Sequence, residues 1–314
     1  MRITDQNYLN TLQDSLAIAN RQIQKLTEQV SSGKALTRPS DDPAAAGRIL
    51  RGQAQLQEVQ TRHAVYQVAQ RQLGIADNAL GEMSNALTNA CDLALQGQND
   101  ISQTDECKTL ANQLRDISDQ IYTLGNTADG FVYLFSGSKS TTAPLVKDPP
   151  SGDPVGYQGG FNAQQFEIAP GTSSQVGVTG AELFNFADPT TGQRAVTSAP
   201  TDVFSALNNL ADQLESGDSA GVATSLTQLQ ALQAHVVEER GAVGLQATRY
   251  NAADDAASQT ELRLQSTISQ DQDVDIVKAV MDLQNQQTAY EGALTAIGRV
   301  LQLPTLWSMI GTGV

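Results

Sequence analysis

Two apolar stripes of the same kind, one near each end of the chain, constrain its fold more than anything else in it. Near the N-terminus, Leu9, Leu12, Leu16, Ala19, Ile23, Leu26 and Val30 recur at alternating intervals of three and four residues. Near the C-terminus, Ile276, Val280, Leu283, Gln287, Tyr290, Leu294, Ile297 and Leu301 do the same. This alternation averages about 3.5 residues, the period of a coiled-coil seam rather than of the wider stripe on a globular helix. A stripe so narrow and long is buried only against a partner helix. The expectation is a protein whose termini meet each other and then meet other subunits, which is assembly rather than catalysis.

Composition agrees with helical seams. Hydrophobic residues make up 40% of the chain and aromatics only 5%, so its cores must be built from Leu, Ile, Val and Ala. A net charge of −15 and a pI near 4.4 exclude a nucleic-acid partner, because phosphate binding needs a basic surface. The charge is uneven: residues 1–62 carry eight Lys/Arg against six Asp/Glu, and residues 202–314 carry five against fourteen. That bias favours pairing between the two arms over self-pairing of either, although solvated helix faces account for such charges equally well. Cys91 and Cys107 are too few for a disulfide framework and read as buried thiols. No apolar run approaches the length of a membrane span, so no membrane insertion is expected. The opening Met1-Arg2-Ile3-Thr4 lacks a secretory signal, leaving a cytosolic protein or one exported without cleavage.

Along the chain, the first helix is predicted over 5–32, ending at Gly33 as a left-handed cap. After a polar linker over 34–42 that contains Pro39, Asp42 and Pro43 make a strong helix start. That helix runs to about Gln96, with Leu73, Ala76, Leu80, Met83, Leu87, Ala90 and Ala94 as a further seam. A polar turn over 97–104 leads to an antiparallel neighbour carrying Leu110, Leu114, Ile117, Ile121 and Leu124. Residues 131–135 read as a strand. From Pro144 to Pro200 the chain becomes rich in Pro, Gly, Ser and Thr, with strand candidates at 155–158, 165–169 and 175–179. Helical spacing returns after Asp202 and continues to about Leu264, and a polar joint over 269–275 precedes the terminal helix, which stops at Pro304.

Specific strings carry a family resemblance. They are Met1-Arg2-Ile3-Thr4; Gln29 to Lys34 followed by Arg38-Pro39-Ser40-Asp41-Asp42-Pro43-Ala44; Gly130 to Lys139; Tyr157-Gln158-Gly159 with Gly180 to Phe184; and Leu283 to Glu291 with the ending Leu301 to Leu306. In this order and nested spacing they resemble the bacterial flagellin superfamily over essentially the full length. Pro39, Pro43, Trp307 and a compact β insertion resemble its hook–filament junction subunits more than the filament subunit. The fold so implied is mainly α with a small β insertion, an elongated coiled-coil and helical-bundle rod with paired N- and C-terminal arms. Its expected parts are an arm domain of 1–38 with 272–314 forming an inner tube layer, a bundle of 39–143 with 201–271 carrying a hairpin near 131–138, and a β insertion of 144–200.

The resemblance implies a structural subunit exported unfolded through the flagellar type III apparatus. Its implied partners are other copies of itself, a neighbouring hook-associated protein on the hook side, flagellin on the filament side and an export chaperone on the C-terminal arm. The assembly residues so expected are Leu9, Leu12, Leu16, Ile23, Leu26, Val30, Ile276, Val280, Leu283, Tyr290, Leu294, Ile297 and Leu301. Filament flagellin itself and a non-flagellar coiled-coil adaptor are the alternatives.

No catalytic, cofactor or metal site is expected. Asp271, Asp273, Asp275 and Asp282 mimic a calcium-loop spacing, yet Ile276 stands where such a loop needs Gly, and Asp replaces its last Glu. Carboxylates beginning a helix are the better account. His63 and His235 lie far apart with no triad or metal spacing around them. Gly156, Gly159 and Gly160 open no helix and so form no phosphate cradle. Trp307 and Met309 suit a subunit contact better than a membrane.

Overall fold

The computed structural model describes residues 2–99, 104–147, 149, 154–169, 171–188 and 191–302. Helix α1 (Arg2–Ser32) ends where Gly33 takes a φ of +69°, the left-handed conformation that a Cβ would disfavour. Helix α2 (Pro43–Asn99) starts as its sequence dictates: Asp42 Oδ1 accepts from the backbone N–H groups of Ala44 at 3.0 Å and Ala45 at 2.9 Å. All seven expected seam residues of α2, from Leu73 to Ala94, are buried. Helix α3 (Thr104–Gly125) follows, with Leu110, Leu114 and Ile121 buried.

The chain divides into two compact units, one of residues 1–59 with 260–314 and one of 60–259. In the second unit α2 is covered by α6 (Ser219–Gln272) running the opposite way. The direction follows from the contacts: Tyr66 with Tyr250, Asp77 with Arg240, and Thr88 with Gln233. Helix α5 (Val203–Ser216), capped by Asp202 and ended by Gly217, packs along α3, where Arg115 bonds Asp212 at 2.8 Å and Glu215 at 2.6 Å.

Three antiparallel strand pairs complete this unit: β1 (Ala128–Asp129) with β2 (Val132–Tyr133), β3 (Leu145–Lys147) with β4 (Val155–Tyr157), and β5 (Gln164–Ala169) with β6 (Thr172–Val176). Leu145, Val155, Val176, Leu183 and Phe184 of segment 144–200 pack into the same apolar cluster as α2, α3, α5 and α6. Two buried tyrosines hold the β5–β6 hairpin onto the helices. Tyr66 donates its hydroxyl to the carbonyl of Ile168 at 2.7 Å, and Tyr250 donates to that of Ser174 at 2.9 Å.

Several elements differ from the expectation. The strand expected over 131–135 is only Val132–Tyr133, because Phe135 turns inward and is fully buried. Strand β3 and the one-turn helix α4 (Gly180–Leu183) are additions, the latter started by the Thr179 hydroxyl. Strand β6 begins earlier than expected, at Thr172. Helix α6 continues past Leu264 to Gln272, through a stretch without apolar periodicity.

After β2, Ser136-Gly137-Ser138 docks backbone to backbone on residues 160–162: Gly160 N–H donates to Ser136 O at 2.7 Å and Ser138 N–H to Asn162 O at 2.9 Å. Gly137 has a φ of +57°, and a Cβ there would meet the carbonyl oxygens of Gly160 and Asn162. Gly137→Ala is therefore expected to cost at least the roughly 1–2 kcal/mol of a left-handed non-glycine residue. Thermal unfolding of the variant against wild type reads the loss.

Candidate assembly interface

In the first unit α1 lies antiparallel to α7 (Ile276–Gln302), and backbone bonds fix the end where they join. Gly33 O accepts from Val274 N–H at 3.0 Å, Ala35 N–H donates to Gln272 O at 2.8 Å, and Lys34 bridges Asp273 between them. The covered face of α1 is the expected one: Leu26 is buried, and Leu12, Leu16, Ala19, Ile23 and Val30 are half-buried.

On α7 the covered face is turned from the expectation. Ala279 is buried, and Leu283, Gln286, Tyr290, Ala293 and Ile297 are half-buried, again three and four apart. Leu283, Tyr290 and Ile297 thus lie on the seam as expected, and Val280 is half-buried at its edge. Ile276 and Leu294 do not lie on this seam: they are 54% and 44% exposed, and Gln287 is exposed as well. The physical reason is helical phase: at about 100° per residue, Ile276 and Leu294 fall to one side of the covered row through Ala279, Leu283, Gln286, Tyr290, Ala293 and Ile297. The side chains of Leu9 and Leu301 lie outside the described residues, as do Pro304, Trp307 and Met309.

Several apolar side chains remain exposed on α7 among its polar ones. Val277 is 70% exposed and Met281 53%, beside Ile276 and Leu294, and on α1 Ile18 is 60% exposed. Sequence reading passed over Val277, Met281 and Ile18, although the doublets Ile276-Val277 and Val280-Met281 signal a helix apolar on two faces. Full burial of such side chains is worth about 1.5–3 kcal/mol each, so these side chains gain by being covered.

The aspartates of the joint are all engaged in structure. Asp271 forms a two-pronged pair with Arg48, at 2.8 and 2.9 Å. Asp273 accepts from Ser269, and Asp275 caps α7 by accepting from Lys278 N–H at 3.1 Å. Among the described residues no cluster is suited to a metal ion. The hydrogen bond and charge of Arg48 hold the Asp271 carboxyl below its ordinary value. A depressed carboxyl stabilises the fold above its unfolded pKa, and that contribution is lost as pH falls through the folded one. Asp271→Asn is expected to remove this part of the acid sensitivity, measured as Tm against pH from neutrality down through the carboxylate range.

The remaining candidates are structural too. His63 Nδ1 lies 2.5 Å from Asp254, and His235 Nε2 lies 3.0 Å from the Glu182 carbonyl. Cys91 and Cys107 are buried and joined in no disulfide, and burial pushes Cys91 up to about 11. Gly159 and Gly160 flank the turn that receives Ser136 to Ser138. Among the described residues no helix is long and apolar enough to cross a membrane.

A family model for the bacterial flagellin N-terminal helical region matches residues 3–140, which span α1, α2, α3 and the first strand pair. The chain is flagellin-like. The flagellin-like chain is 32% identical over 187 residues to flagellar hook-associated protein 3 of Salmonella typhimurium, covering 59% of this chain and 57% of that protein. The match thus spans little more than half of that relative's length. With flagellar hook-associated protein 3 of Escherichia coli it is 26% identical over 299 residues, covering 90% of this chain and 92% of the relative. A solved flagellar hook-associated protein from Vibrio parahaemolyticus shares the fold, with a TM-score of 0.64 at 22% identity over 74% of this chain and 100% of that one.

Proposed function

We propose that the protein is a structural subunit of the bacterial flagellum that joins the hook to the filament, assembling through its terminal arms. The observation that carries this reading is the exposure of Ile276, Val277, Met281 and Leu294 on a helix whose inner face is already covered by α1. A helix with one partner inside its own subunit and a second apolar face outside is built to meet neighbours. Its similarity to hook-associated protein 3 of two bacteria supports the flagellar setting. In this reading the α1–α7 pairs of successive copies form the inner layer of a tubular stack. One rim contacts a hook-associated protein on the hook side and the other contacts flagellin. An export chaperone covers the exposed apolar side chains of α7 before assembly, and the subunit leaves the cell through the flagellar export apparatus. Identical subunits joined head to tail give open helical arrays, which suits such a stack.

The test is deletion of the gene. Filament protein is expected in the culture medium rather than on the cell, and the native protein should be found in isolated flagella at the hook–filament boundary. Normally anchored filaments in the deletion strain would contradict the reading.

A further inference from the structure

Between the end of α1, the linker and the start of α2 lies an open groove of about 370 Å³, lined by Leu36, Pro39, Ile49 and Leu50 with Lys34 at its rim. Leu50 is 64% exposed on its wall. The linker that forms it is held in place: Gln29 Nε2 donates to Ala35 O at 2.7 Å, Ala35 N–H donates to Gln272 O, and Arg38 pairs with Glu28 at 3.3 Å. The Lys34 ammonium, by contrast, has no ion-pair partner among the described residues. A held apolar groove with a free cation at its edge suits one large aromatic side chain, since a cation over an indole face is attractive.

The sequence supplies one such group in an apolar setting. Trp307 is the chain's only tryptophan and stands among Leu306, Met309 and Ile310. Its own groove is out of reach. The groove includes Gln272, beside the start of α7, and the 27 residues of α7 carry the chain about 40 Å away at 1.5 Å per residue. Trp307 lies five residues beyond Gln302, which returns it by at most about 18 Å even fully extended. The shortfall is roughly 20 Å.

We infer that this groove receives the Trp307 segment of a second copy of the chain, with the indole on Leu50 and Ile49 and Lys34 over its face. The contact is heterologous, the end of one copy's arm pair entering the joint of the next, so it propagates along a stack instead of closing a dimer. The inference deepens the proposed assembly and rests on it.

Two full-length variants, Leu50→Cys and Ser308→Cys, are produced together in cells lacking the native protein, and their isolated flagella are treated with a short bismaleimide. The native cysteines are buried and give little background. A covalent dimer is expected in flagella containing both variants, and in none containing either alone. A chain carrying both substitutions should not link to itself in dilute solution. Flagella that contain both variants but yield no such dimer overturn the inference and leave the junction role standing. So does a link within one dilute chain, or a link from Ser308→Cys to a different flagellar protein. Absence of both variants from the flagella overturns the junction role, and the inference with it.

Discussion

Val277→Asp combined with Met281→Asp is expected to leave the isolated protein folded while lowering its incorporation into flagella at least ~10-fold. Both side chains are more than half exposed in the lone subunit, so a carboxylate at either position meets water and costs the monomer little. In the assembly each would be driven under a neighbouring helix. The loss of apolar burial there is about 1.5–3 kcal/mol per side chain, and ~1.4 kcal/mol already makes a tenfold difference in binding. Two measurements are needed together: circular dichroism of the purified variant and the quantity of variant protein in sheared flagella. Unchanged incorporation would remove α7's outer face from the assembly surface.

Leu26→Asp is expected to do the reverse and act on the isolated subunit. Leu26 is 8% exposed and, among the described residues, is the one buried residue on the seam face of α1. Losing a buried leucine costs about 2–5 kcal/mol, and a carboxylate in its place adds the penalty of desolvating a charge. The paired helices α1 and α7 have 31 and 27 residues. A helix of mostly polar residues depends on packing for its order in water. Most of the helical signal of both should disappear together, while the unit of residues 60–259 keeps its own cooperative unfolding. Loss of signal from α1 alone, detected by hydrogen exchange, would mean that the two arms do not depend on each other.

The contrast between these two positions also marks how far the sequence could be read. The α2 stripe from Leu73 to Ala94 was fully legible, because one helix with one covered face has one phase. The face of α1 was legible for the same reason. On α7 two neighbouring phases compete, and the three-four alternation that starts at Ile276 takes in Leu294 and passes over Ala279 and Ala293. Packing against α1 takes the row through Ala279, Leu283, Gln286, Tyr290, Ala293 and Ile297, and Ile276 and Leu294 are left exposed. The end of α6 was misjudged because Gln265 to Gln272 shows no apolar repeat. Its helix is sustained instead by tertiary contacts, such as the Asp271 pair with Arg48, whose partner lies more than 200 residues away. The short strands and α4 depend on equally distant partners. The Ser136 to Ser138 turn has its meaning only once residues 160–162 are beside it.

The central claim concerns what covers the outer face of α7, and a single thiol at position 277 reads it directly. In Val277→Cys, maleimide should label the purified subunit rapidly, since the site is open and Cys91 and Cys107 are buried. In intact flagella the same thiol should be protected and regain its reactivity when the flagella are dissociated. Equal labelling of Cys at 277 in the free and assembled states would contradict the account.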